Sequence, residues 1–169
     1  MTADHTAGAL RAAGHALLGA MRIGAWVLLT VTVLLSSWVA FGWTIAGWRP
    51  VTITSGSMSP SLQVGDVLMI SDEGVDTVGQ RSIVVFDRDG TLIAHRVFAV
   101  DGERLVTKGD ANPSPDTDRV TNADVIGIGR LVVPLVGLPL VWAREDAWHW
   151  VAVWLLLSLA GVVQMALAA

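Results

Sequence analysis

Between Thr54 and Ser61, five hydroxyl side chains (Thr54, Ser55, Ser57, Ser59 and Ser61) crowd into eight residues around a single glycine, Gly56. A serine becomes a nucleophile when a base takes its proton, a further group orients that base, and donors await the oxyanion. Few other residues here have that capacity. Lysine occurs once, at Lys108, against ten arginines, and histidine only at His5, His15, His95 and His149. His95 is the sole histidine between residues 49 and 146, which makes it the natural base for chemistry near neutral pH. Lys108 is the one candidate for a serine–lysine dyad. Asp110, Asp116 and Asp118 follow within a Gly/Asn/Pro-rich stretch, where an aspartate can orient a base or simply form a turn. Each group also has a plainer use, as a turn serine, a hydrogen-bonded core histidine or a loop aspartate. There is no cysteine, so thiolate catalysis, disulfides and cysteine metal sites are excluded. No ligand cluster for a metal or an organic cofactor stands out.

These residues must be positioned by a chain of 169 residues that is 53% hydrophobic. Its net charge of −4 does not favour a nucleic-acid partner. Residues 23–48 form an uncharged run of 26 bounded by Arg22 and Arg49. That exceeds the roughly 20 residues that cross a bilayer and the roughly 7–15 of a cleaved signal peptide. Residues 147–169 form a second apolar run, with His149 its only ionisable group. Trp43, Trp48, Trp142, Trp148 and Trp150 flank the two runs, where indoles favour the lipid–water boundary. The chain therefore reads as a cytoplasmic tail (1–22) carrying a surface helix, a transmembrane helix (23–48), an extracytoplasmic domain (49–146) and a C-terminal transmembrane helix (147–169). Arg11 and Arg22 ahead of the first span agree with that orientation, in a multi-pass protein of the cell membrane with the bilayer as partner.

Between the runs, short β-branched stretches alternate with turn residues. Residues 51–54, 66–70, 82–86, 91–100, 104–108 and 125–133 read as strands. Asp89-Gly90 and Asp101-Gly102 read as two-residue hairpin turns, and 109–118 as a polar loop. The apolar segment 131–142 is broken by Pro134, Gly137 and Pro139, so it cannot span and reads as a lip dipping toward the bilayer. The fold class is mostly β, flanked by two transmembrane helices.

In this order, "SGSMSP" with "LQVGDVLMI", then "AHRVFAV", "TKGDANPSPD" and "IGIGRLVVPLVGLP" resemble the boxes of type I signal peptidases over most of residues 53–139. Histidine before Arg-Val, where the common bacterial enzymes carry lysine, is similar to the branch found in the endoplasmic reticulum, archaea and some Gram-positive bacteria. The resemblance implies a β-rich peptidase domain that cleaves signal peptides from exported preproteins without a cofactor. Small side chains are then expected at the first and third positions before the scissile bond. It implies Ser57 as nucleophile, His95 as general base and Asp116 as the acid that orients it. Asp110 is implied as a supporting acid, with the Ser55 hydroxyl and the Ser57 backbone N–H as oxyanion donors. A chain leaving the membrane just before Ser57 suits a nucleophile near the bilayer surface. Prolines 113 and 115 constrain the loop, so the choice among Asp110, Asp116 and Asp118 stays open. Two rivals remain: a dyad using Lys108, and a non-catalytic, membrane-tethered β module that binds exported proteins.

Overall fold

The computed structural model describes residues 2–72 and 78–168. Its elements are α1 (Thr2–Thr44), β1 (Arg49–Thr52), β2 (Val67–Ser71), β3 (Ile83–Arg88), β4 (Thr91–Asp101), β5 (Arg104–Lys108), β6 (Arg119–Thr121), β7 (Val125–Val133), α2 (Leu138–Arg144) and α3 (Trp148–Ala168). Met1 and Ala169, the ends of the expected tail and second span, lie outside the described residues. The chain divides into two units, one holding α1 up to Leu34 together with α3, the other running from Leu35 to Asp146.

Ala13–Thr44 and Trp148–Ala166 are each long and apolar enough to cross a membrane. The expected surface helix and first span are one continuous helix, since no proline interrupts residues 2–44. Helix α1 ends at Thr44, and Gly47, with φ of 68°, turns the chain into β1. Gly161 lets α3 approach α1 closely. A Cβ there would lie 3.2 Å from the Ala25 carbonyl oxygen and from Leu29, the small-residue contact common between membrane helices.

The second unit is a seven-stranded sheet in the order β1-β2-β7-β3-β4-β5-β6, antiparallel throughout. Alternation along β3 sorts the core. Val84 and Phe86 join a cluster with Val97, Leu105, Val120 and Val125, while Val85 and Ile83 pack with Ile53, Met58, Leu62, Leu68 and Ile70. All five residues of β2 are buried, which explains why it reads as an unbroken apolar run. A third cluster, Val67, Met69 and Val133, is covered by Leu35 and Val39 of α1 and by Trp48.

Asp89 (φ 53°) and Gly90 (φ 80°) form the β3–β4 turn with both central residues left-handed, the type I′ geometry that matches strand twist. The next hairpin differs from expectation. Asp101 pairs with Arg104, so the loop is Gly102-Glu103, with Gly102 (φ 60°) first, as a type II′ turn requires. Strands β5 and β7 span their expected residues, whereas β6 was not legible at three residues long. The expected lip at 131–142 is two elements: Leu131–Val133 completes β7, and the rest leads into α2. Pro139 falls in the first turn of α2, where its missing N–H costs nothing, and Val133 and Val141 are buried in protein.

Gly65 joins these parts. Its N–H donates to the Ile53 carbonyl at 2.9 Å and its carbonyl accepts from the Gly137 N–H at 2.8 Å. Its φ is 93°, and a Cβ would lie 2.5 Å from Leu138 Cδ2. Gly65→Ala should lower the unfolding free energy by about 2 kcal/mol, and Gly90→Ala, strained but open, by about 1 kcal/mol. Urea midpoints at unchanged m check this ranking. Equal losses would mean that Leu138 moves aside freely.

Candidate active site

The serine-rich stretch leaves the sheet after β1 and is pinned by apolar plugs. Met58 and Leu62 are 1% and 0% exposed, and truncating such a side chain to alanine typically costs about 2–5 kcal/mol. The Leu62 N–H donates to the Met58 carbonyl and the Ser59 N–H to that of Gly56, both at 3.0 Å. The tight turn leaves Ser57 half-buried and Ser55 exposed, with their hydroxyl oxygens 3.3 Å apart. Buried Asp66 closes the segment, accepting from the Gln63 N–H at 2.8 Å and the Leu135 N–H at 3.1 Å.

His95 lies in β4 opposite Val84, is buried, and meets the edge of Phe86 at a ring-centroid distance of 6.3 Å. Its Nδ1 is 2.6 Å from Asp116 Oδ2. The Thr107 hydroxyl donates to the same oxygen at 2.6 Å, and the Asp116 N–H donates to the Thr107 carbonyl at 2.8 Å. A carboxylate oxygen taking two such partners is an acceptor. In the neutral imidazole the proton therefore sits on Nδ1, and Nε2 keeps its lone pair.

The next residue builds a second anchor. Arg96 forks onto Asp110, Nε to Oδ1 at 2.8 Å and a terminal nitrogen to Oδ2 at 2.7 Å. It also donates to Ser61 Oγ at 3.2 Å and to the Arg81 carbonyl at 2.9 Å. The bond from Arg96 holds the Asp110 carboxyl below its usual range against the opposing effect of burial, with help from Ser61 and the Lys108 charge. Arg96 is raised in turn, chiefly by its bond to Asp110. Gly109 then passes so close to the serine loop that a Cβ would lie 2.7 Å from the Ser57 carbonyl oxygen. That oxygen accepts from the Ala111 N–H at 2.9 Å. One loop thus bonds the Ser57 main chain at one end and the His95 ring at the other.

The three aspartates part company here. Asp116 bonds His95, Asp110 bonds Arg96, and exposed Asp118 lies 3.6 Å from Arg88. Lys108 pairs with Arg96 across the β4–β5 ladder and lines a recess with Arg96, Phe98 and Asp110, not the cleft that holds Ser57. The Ser57 hydroxyl is bonded to Ser55 rather than to the imidazole. Thr107 and Arg96 were missed by sequence reasoning. The available signals were their places beside Lys108-Gly109-Asp110 and His95.

A cleft of about 180 Å³ runs beside Ser57, walled by residues 51–55, by Ser57 and Met58, and by Thr91–Ala94. Among the described residues, strand β1 has no partner on its outer side, and β4 pairs with β5 only from Arg96 onward. Both walls therefore include unpaired strand edge. Among the described residues, no group of three or more His, Asp or Glu side chains could hold a metal.

The family model for signal peptidase, peptidase S26, matches residues 23–112. The chain belongs to this family. The signal peptidase complex catalytic subunit SEC11 of Pyricularia oryzae is 32% identical over 170 residues, covering 87% of this chain and 96% of that relative. The subunits of the same name from Leptosphaeria maculans and Pyrenophora tritici-repentis are 36% and 37% identical over 114 residues. Those two alignments span 58% of this chain and 65% of each relative, just under two thirds of their length.

The lowered Asp110 carboxyl has a consequence for stability. Its contribution is complete above the ordinary carboxyl pKa of about 4 and is lost as pH falls through its lower folded value. Asp110→Asn should cost about 1–3 kcal/mol at pH 7, and the gap from wild type should narrow below about pH 4. Urea unfolding across a pH series measures this. A gap that stays constant with pH would show that the charge of Asp110 contributes nothing.

Proposed function

We propose that this protein is a membrane-bound serine endopeptidase that removes signal peptides from exported preproteins. Ser57 is the nucleophile, His95 the general base and Asp116 the acid that orients it. The observation carrying this reading is the 2.6 Å bond from His95 Nδ1 to Asp116, which leaves Nε2 as a proton acceptor in a chain of the signal peptidase family. Ser57 Oγ attacks the scissile carbonyl as its proton passes to His95 Nε2. The developing oxyanion takes hydrogen bonds from the Ser57 backbone N–H and from the Ser55 hydroxyl, which turns from Ser57 to do so. His95 returns the proton to the leaving amine. It then draws one from the water that hydrolyses the acyl-enzyme, freeing the new carboxyl terminus and restoring Ser57. The bond from Ser57 to His95 forms as substrate displaces Ser55, since such bonds are often long or misaligned before substrate binds.

The cleft supports an extended peptide as substrate. Unpaired edges on both walls offer backbone donors and acceptors to an added strand. Asp110, through Arg96, keeps the serine loop and the 109–112 turn in place. The two apolar helices fix the enzyme in the cell membrane, with residues 49–146 on the extracytoplasmic side. The relatives are named as catalytic subunits of a complex, and this chain is accordingly proposed to work with partner subunits.

Processing of a model precursor by the detergent-solubilised protein tests the reading. Ser57→Ala and His95→Ala should each lose about 10⁴-fold or more in rate. Asp116→Asn should fall by a comparable factor because the tautomer is lost. A serine-directed acylating probe should label wild type and not Ser57→Ala. Near-normal activity of His95→Ala would move the base to Lys108. Binding of precursor without cleavage or labelling would make the protein a tethered binding module.

A further inference from the structure

The cleft beside Ser57 continues past the proposed reaction site. Val51, Thr52, Thr54, Thr91 and Leu92 wall both it and a wider recess of about 480 Å³ that ends on Leu140 and Arg144. Leu92 and Leu140 are 50% and 46% exposed, apolar surface open to an occupant. Arg144 stands in the last turn of α2, and its guanidinium forms no ion pair or hydrogen bond among the described residues. The strand edges above suit an extended occupant. Along β4 the walls run from Ala94, at the Ser57 end, to Gly90 at the far end. At roughly 3.3 Å per residue, that length matches about four residues of substrate.

A guanidinium presents a planar fork of donors matched to a carboxylate. We propose that Arg144 sets a charge preference: it favours an acidic side chain about four residues from the scissile bond, on the flank of the peptide that lies along β4 toward Gly90. This rests on the peptidase reading of Ser57, which places the scissile bond at one end of the cleft.

The test uses the full chain in detergent micelles and a neutral precursor peptide. Single Asp or Lys replacements are placed three to five residues (about one cleft length) to either side of the scissile bond. Wild type should cleave the Asp peptide about two- to five-fold faster than the Lys peptide, the scale of an exposed charge pair, on one flank only. Added salt should shrink the ratio, Arg144→Ala should bring it to one, and Arg144→Glu should invert it. The neutral peptide serves as reference for each protein. A ratio of one on both flanks in wild type, or a ratio unchanged in Arg144→Ala, overturns the proposal. If wild type cleaves none of the peptides, the peptidase reading falls. The preference is then read from fluorescence anisotropy of the same peptides, where equal affinities for wild type and Arg144→Ala overturn the charge preference itself.

Discussion

A carboxylate largely withdrawn from water is tolerated only where donors surround it, and at Asp116, whose side chain is 11% exposed, this requirement organises everything around the proposed reaction centre. Its oxygen takes the His95 ring and the Thr107 hydroxyl, each at 2.6 Å, while its own N–H returns to the Thr107 carbonyl. Thr107 is fully buried in β5, so the aspartate is registered to the sheet and not merely to its loop. Pro113 and Pro115 limit the backbone on the approach. The loop that delivers Asp116 is held at its other end by the Arg96–Asp110 fork and by the contact of Ala111 with Ser57. Ring tautomer, loop path and serine position thus become one mechanical problem.

Much of this was legible from residue scarcity. One histidine in the whole of residues 49–146 and one hydroxyl-rich turn left few candidates, and the strands around them declared themselves by β-branched runs. What stayed closed depended on pairings that no spacing encodes. Asp110, Asp116 and Asp118 are alike in sequence and differ only in what faces them: Arg96, His95 and Arg88. The Gly102-Glu103 turn looked like Asp101-Gly102 because either dipeptide suits a hairpin, and the Asp101–Arg104 pairing decides. The 131–142 segment looked like one apolar surface because proline and glycine were read as breaks in a span. They mark instead the junction between a strand and a short helix.

Unpaired strand edges are normally a liability that proteins blunt with charges, prolines or short strands. Here β6, the far edge, is three residues long, and β1 carries Arg49 and Pro50. Among the described residues, the first half of β4 is a stretch of open edge without such a device. Its exposure fits a surface kept free for an incoming chain, because its alternate residues Ile93 and Ala94 already serve the two core clusters and cannot be spared from the fold.

The same half-open strand resolves a geometric difficulty. Residues opposite one another in an antiparallel pair share a face, so His95, opposite Val84, lies on the face whose cluster includes Phe86. Met58 and Leu62, which anchor the serine turn, belong to the cluster on the other face. The proposed nucleophile and base are thus supported from opposite sides of one sheet, and a continuous sheet would keep them apart. The 109–116 loop links them by passing from the Ser57 carbonyl to the His95 ring, which is possible because β5 begins pairing only at Arg96. Were β5 to pair with Thr91–His95 as well, a strand of the protein would fill the cleft beside Ser57. The missing pairing both admits the loop that carries Asp116 and leaves the place that an extended substrate would take.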